Sequence, residues 1–372
     1  MEFRPSQEVT TPDGLRWRKC AGVAIVNSRG ELLVGERIKI AGAWNCPQGG
    51  MDATSQVHGR PETVLEAAAR EAWEEVGIVV GKNILPLAAM SDDAAVRYKA
   101  GGWLAEAGFA GQQLHWALFE VCDALGDADP STMCTLCGLG GEEAEFRRVR
   151  WQRLEDVISG MWEKKRPPYE ALAAWAQPLI RARAQQAALI DMGGVWERDA
   201  SRSNGLIEAL VARGHDLARA KAEATRPYVQ EWARHGAGGD WQVTTYNASA
   251  SAGGAGKDRC ITYALGQERT ESYFGKSTIF GDAAPEQPAT LTRRTAWLPL
   301  DHLSCFAHTT VSRRLGSSGG AVEITSRHLR LSPTSEGAAG GGGGEEMVVT
   351  RTLRAPDKPA VVSEEVVRRR GV

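Results

Sequence analysis

Residues 62–78 read ETVLEAAAREAWEEVGI, and this stretch decides how the first half of the chain is organised. Apolar and small residues recur at helical spacing over 62–76 with carboxylates on the other face, and Gly77 stands where a helix would end in a left-handed cap. Within it, Glu71, Glu74 and Glu75 are three and four residues apart, which on a 3.6-residue helix puts all three on one face. Like charges that close repel one another. Arg70 is the one adjacent cation, so the cluster makes better sense as an oxygen-ligand set for a hard divalent cation, Mg²⁺ or Mn²⁺. A solvated acidic helix face is the bland reading of such a triplet, and its surroundings argue against it. Glu62 lies eight residues before Arg70, which suits a salt bridge tying the helix to the loop before it. The PQGG turn at 47–50 supplies backbone that can approach a phosphate or a metal with no side chain in the way.

Outward from the helix, KCAGVAIVNSRGELLVGER at 19–37 reads as two apolar, β-branched runs separated by a turn, a hairpin signal. Strands are expected around 115–121 and 147–151, and an amphipathic helix over 168–189 closes the first half. Beyond it come two short helical patterns, 204–213 and 216–225. Short alternating runs punctuated by Gly, Ser and Asp follow, and they suggest a β-barrel or sandwich. Low-complexity stretches at 248–256 and 337–344 read as flexible insertions, and the charged residues 359–372 as a mobile tail.

The segment 62–78 resembles the Nudix box: Glu62, Arg70, Glu71, Ala72, Glu74, Glu75, Gly77 and Ile78 fall in register with its second part. Where the box opens on Gly, this chain has Gln56, which an insertion of about seven residues over 53–59 explains. The flanks are similar to the diadenosine polyphosphate hydrolase and RNA 5′-pyrophosphohydrolase branch: WNCPQGGMD, GQQLHWALFE, EFRRVRW and KRPPY, covering 16–175. The resemblance implies an α/β/α sandwich with a mixed sheet and a Mg²⁺-dependent (or Mn²⁺-dependent) pyrophosphohydrolase. It makes Glu71, Glu74, Glu75 and Glu145 catalytic and metal-binding, with the Gly49 carbonyl a further metal ligand. It makes Arg37, Lys165 and Tyr169 phosphate or nucleotide contacts, and Gly50, Glu62, Arg70 and Gly77 the supporting motif. The implied substrates are a nucleoside polyphosphate or an RNA 5′ end. Glu71 or Glu145 takes the proton from water.

The second half resembles the fatty-acid-binding protein family over 193–354, through GVWERDASRSNGLIEALVARG, TYALGQERTE, TTVSRRL and VTRTLR in collinear order. This implies a small antiparallel β-barrel capped by two short helices, with Arg313 and Arg351 inside to meet the carboxylate of a fatty acid or other apolar ligand. Leu353 stands where that family has its ligand-binding Tyr. Trp196, Trp241 and Trp297 are expected in the core.

Composition agrees with a multidomain chain. Its 372 residues suit a Nudix domain over 1–185, a barrel over 190–358 and a tail over 359–372. With 42% hydrophobic residues and a formal charge of −2, it lacks the basic excess of a dedicated nucleic-acid binder. No run is apolar enough to span a membrane, and seven scattered cysteines argue for reduced thiols, so a cytoplasmic setting is expected. Cys134 and Cys137 form a CxxC without a second pair and are not read as a zinc site. The rival functions are hydrolysis of acyl coenzyme A or a sugar nucleotide, and a lipid-sensing barrel that regulates the hydrolase.

Overall fold

The structure is a computed structural model, which describes residues 5–235, 240–247, 257–273, 280, 282–283, 288–301, 305–315, 320–331, 345–356 and 358–370. The two low-complexity stretches, 248–256 and 337–344, expected as flexible insertions, lie outside the described residues. The chain divides into two compact units, Met1–Ala187 with Pro299–Ser304, and Ala188–Leu298 with Cys305–Val372.

The first unit begins with β1 (Glu8–Thr10), β2 (Arg16–Val26), β3 (Leu32–Arg37), β4 (Trp44–Asn45) and β5 (Gln48–Gly50), then α1 (Val64–Val76). It continues through β6 (Ile84–Ala89), β7 (Val96–Lys99), α2 (Trp103–Glu106), β8 (Gly111–Val121), α3 (Ala124–Ala128), β9 (Phe146–Gln152), α4 (Leu154–Ser159) and α5 (Arg166–Ala188). The nine strands form one mixed sheet in which β2 and β8 run parallel and the other pairs antiparallel. Strand β2 is buried on both faces: Ala21, Val23 and Ile25 pack toward Ala68, Ala72 and Val76 of α1, while Cys20, Ala24 and Val26 join the cluster of Tyr169, Leu172 and Ala176 of α5. That is why β2 reads as a continuous apolar run in place of an alternating one. The unit is thus an α/β/α sandwich.

The second unit opens with β10 (Gly194–Asn204), followed by α6 (Leu206–Ala212) and α7 (Leu217–Thr225). Nine further strands follow: β11 (Tyr228–His235), β12 (Asp240–Asn247), β13 (Lys257–Tyr263), β14 (Glu268–Tyr273), β15 (Ala289–Pro299), β16 (Phe306–Arg314), β17 (Val322–Leu331), β18 (Glu345–Arg354) and β19 (Val361–Arg369). They pair in the order β13-β12-β11-β10-β19-β18-β17-β16-β15-β14, with the opening strand β10 beside the closing strand β19, and the sheet curls into a nearly closed antiparallel barrel. Trp196, Trp232 and Trp241 are buried in its core.

Two expectations are corrected here. Residues 361–369 are not a mobile tail: they form β19, paired with both β10 and β18, with Ser363, Glu365, Val366 and Val367 buried in the wall. Arg313 does not face the interior. Arg351 pairs with Thr325 and Thr325 with Thr310, so these three share a face, and Arg313, three residues beyond Thr310 in an unshifted register, lies on the other. Arg351 keeps its inward place and forms an ion pair with the buried Glu365. Leu353 is fully buried.

Candidate active site

Helix α1 is pinned at both ends. Thr63 caps it with a reciprocal pair: the Glu66 N–H donates to the Thr63 hydroxyl at 3.3 Å and the Thr63 N–H to the Glu66 carboxylate at 2.9 Å. Gly77 ends it in the left-handed region at φ 70°, donating to the Trp73 carbonyl. Residues 53–61, just before it, form a closed excursion. At its base the Glu62 N–H donates to the Asp52 carbonyl at 3.1 Å and the Asp52 N–H to the Glu62 carboxylate at 2.8 Å. The excursion therefore leaves the helix in its place.

Arg70 organises the acidic face. Its guanidinium donates to both oxygens of Glu62 at 2.9 Å, to the Gly50 carbonyl at 2.7 Å, to Glu71 at 2.7 Å and to Glu74 at 2.8 Å. Such a planar fork matches several fixed acceptors at once. Glu71, Glu74 and Glu75 are all buried. Glu75 accepts from the Gln48 N–H at 3.2 Å, which ties the helix to β5. Beside Gly49 the fit is so close that a Cβ there would stand 2.1 Å from Glu71 Oε1. Burial pushes the Glu71 carboxyl up to about 7, Arg70 pulling the other way and Glu74 adding to the rise. Burial also lifts Glu75 well above the usual carboxylate range, and Glu145 and Glu71 reinforce it.

The far wall comes from distant sequence. Glu145 precedes β9 and its backbone carbonyl accepts from the Ile38 N–H at 2.9 Å, which sets it opposite Arg37 of β3. The two side chains form an ion pair. Lys165, just before α5, lines the same cavity of about 750 Å³ as Glu71, Glu74, Glu75, Glu145 and Arg37. Burial depresses its ammonium pKa, with Arg37 adding to the effect and Glu145 and Glu75 opposing it.

One expected contact is elsewhere. Tyr169 does not line the cavity: it is 1% exposed, its phenol oxygen accepts from the Cys46 N–H at 2.8 Å, and its ring meets Trp116 edge-on at 5.1 Å. Tyr169, Leu172 and Ala176 form the apolar stripe of α5, and the stripe turns the phenol into the core. Sequence reasoning missed Arg18, Trp103 and Gln112, which also line the cavity. They come from β2, α2 and β8 and carry no spacing signal, since only the sheet brings them together.

The donor set suits a hard divalent cation. Oxygen ligands predominate, burial and mutual repulsion make their bare charges costly, and Gly49 leaves its backbone open to the acidic face. Among the described residues no three His, Cys, Asp or Glu side chains converge on one point. Arg70 instead engages Glu71 and Glu74, and Arg37 engages Glu145.

Residues 16–172 match the family model described as the NUDIX domain. The chain is 31% identical over 171 residues to an RNA pyrophosphohydrolase of Cereibacter sphaeroides, covering 45% of this chain and 94% of that protein. It is 28% identical over 183 residues to an RNA pyrophosphohydrolase of Rhizobium meliloti, covering 46% and 99%. Among solved structures, the MutT protein from Methanosarcina mazei Go1 is 21% identical, covers 43% of this chain and 96% of its own, and has a TM-score of 0.27. The REP1-NXSQ fatty acid transporter is 17% identical, covers 49% and 98%, and also has a TM-score of 0.27.

Proposed function

The chain belongs to the Nudix family of hydrolases, which act on phosphorus-containing anhydrides, and on that premise we propose that its site releases pyrophosphate from the 5′ end of RNA. The observation that carries the reading is one cavity in which the α1 carboxylates and Glu145 face Arg37 and Lys165. A phosphate chain is a run of anionic oxygens, and it needs positive charge on one side and a base for water on the other. Arg37 and Lys165 supply the first, binding phosphate oxygens. Glu71 or Glu145 supplies the second by accepting the proton of the attacking water. Arg70 holds Glu71 and Glu74 in place through its bonds to Glu62 and Gly50.

Glu71, Glu74, Glu75, Glu145 and the Gly49 carbonyl would hold Mg²⁺ or Mn²⁺, which when bound neutralises phosphate charge and lowers the pKa of water. Diadenosine polyphosphates present the same anhydride and belong to the same reading. Cys20, Cys46, Cys122, Cys134, Cys137 and Cys260 are free thiols, which supports a reducing, cytoplasmic setting. Among the described residues no helix is long and apolar enough to cross a membrane.

For the barrel, a ligand with an apolar body and an anionic head is supported by a cavity of about 220 Å³ lined by Arg198, Arg213, Arg226 and Arg351 against Glu223 and Glu365. Native mass spectrometry of the purified chain reads this out as a copurifying mass.

The test for the hydrolase is to incubate the full chain with 5′-triphosphate RNA, diadenosine tetraphosphate, a sugar nucleotide and acyl coenzyme A, with Mg²⁺ and with EDTA. Pyrophosphate release from RNA that EDTA abolishes is the expected result. Glu75→Gln should be inactive with an unchanged circular dichroism spectrum. Turnover of acyl coenzyme A or the sugar nucleotide alone, or an active Glu75→Gln, would overturn the assignment.

A further inference from the structure

Trp103 opens α2 and is 44% exposed, yet it lines the same cavity as the carboxylates of α1. Its position is built. The next residue, Leu104, is buried and its carbonyl accepts from the Phe109 N–H at 2.9 Å, which closes the short helix onto the loop that leads to β8. The Arg18 guanidinium lies 5.1 Å from the centroid of the indole. Arg18 is itself fixed: its Nε donates to the Ser6 hydroxyl at 2.8 Å, and it packs so closely on Gly50 that a Cβ there would meet Nη2 at 2.0 Å. A large aromatic ring held at the rim of a cavity otherwise lined mainly by charged and amide groups offers a flat apolar surface beside a phosphate-binding floor.

We propose that Trp103 is a stacking platform for the nucleobase joined to the phosphate chain bound in this cavity, a role that rests on the phosphate-chain reading of the site. Every base has a π-face, so an indole recognises a nucleotide without reading its sequence. Arg18 beneath the ring favours the arrangement electrostatically and keeps the indole from turning away. If Trp103 served only to shield Arg18 from water, its loss would weaken all anionic ligands alike, because the charge of Arg18 would be screened whatever the anion carried.

Equilibrium binding by the full chain separates the two, with guanosine 5′-triphosphate as the ligand that bears a base and inorganic tripolyphosphate as the one that lacks it. Trp103→Leu should weaken the nucleotide about tenfold, the order expected for one base stack, and leave tripolyphosphate unchanged. Trp103→Phe should restore most of the loss. Equal weakening of both ligands, or no change in either, overturns the platform. Wild-type turnover of 5′-triphosphate RNA is measured beside it: absent turnover with selective nucleotide weakening refutes the reaction and keeps the platform, whereas turnover without selectivity does the reverse.

Discussion

A Cβ placed on Gly49 would stand 2.1 Å from Oε1 of Glu71, so β5 and α1 meet at a point that only a glycine can occupy. The helix carboxylate and the strand backbone are thereby held as neighbours by the absence of a side chain. Gly49→Ala must move one or the other. We expect kcat to fall about 100-fold, the scale of a misplacement near 1 Å, while the circular dichroism spectrum is kept. Steady-state kinetics beside a thermal melt checks this, and an alanine variant with wild-type kcat would show that the contact is idle.

Arg70 is the common partner of Glu62, Glu71 and Glu74 and is only 19% exposed. Arg70→Met leaves these buried carboxylates without their shared cation. The expected destabilisation is about 3–5 kcal/mol, the range for breaking a buried ion pair from one side. Urea unfolding followed by tryptophan fluorescence measures it. A loss below about 1 kcal/mol would mean that water replaces the guanidinium.

In the barrel, Glu365 is 1% exposed and joins Arg198 at 2.7 Å and Arg351 in a second ion pair. Burial already lowers the Arg351 pKa to about 9, with the nearby Arg213 adding to it. Glu365→Leu should therefore cost about 3–5 kcal/mol. The double variant with Arg351→Leu should lose less than the sum of the single losses, because it removes one of the two stranded charges. Additive losses would show that the pair is not coupled.

His308 is fully buried among Trp232, Trp241, Trp297 and Tyr263. Burial first, then Arg327, Arg234 and Arg269, hold its pKa well below the ordinary 6.5. The unfolded chain therefore binds a proton that the folded barrel refuses. Stability is kept above the unfolded value and lost as pH falls below it, by up to about 1.4 kcal/mol per pH unit. Denaturation between about pH 7.5 and pH 5 should show this slope, and His308→Phe should flatten it. An unchanged slope in the variant would assign the acid sensitivity to other groups.

The helix was legible in the chain because its signals are local: the 3.6-residue spacing puts Glu71, Glu74 and Glu75 on one face, and Gly77 ends it. The same holds for the hairpin of β2 and β3 and for the short strands of the barrel. The Thr63 and Glu66 capping pair is equally local and could have been read the same way.

Tyr169 and Arg313 show where such reading stops. Both belong to segments chosen correctly as helix and strand, yet one side chain turns into the core and the other to the outer face. Which way a side chain points depends on what packs against the element, and a strand shifted by one residue exchanges its faces. The terminal strand makes the same point: its charged residues look like a tail until β10 and β18 pair with both its edges.

By itself, then, the sequence determined the two-part organisation and the carboxylate helix, since periodicity and capping act over a few residues. The flanking motifs also pointed to Glu145 and Lys165, whereas only the tertiary structure decided that Arg18 and Trp103 share a cavity with that helix. They are brought together by strand pairing and sheet packing across long stretches of chain, which leave no spacing in the sequence to read.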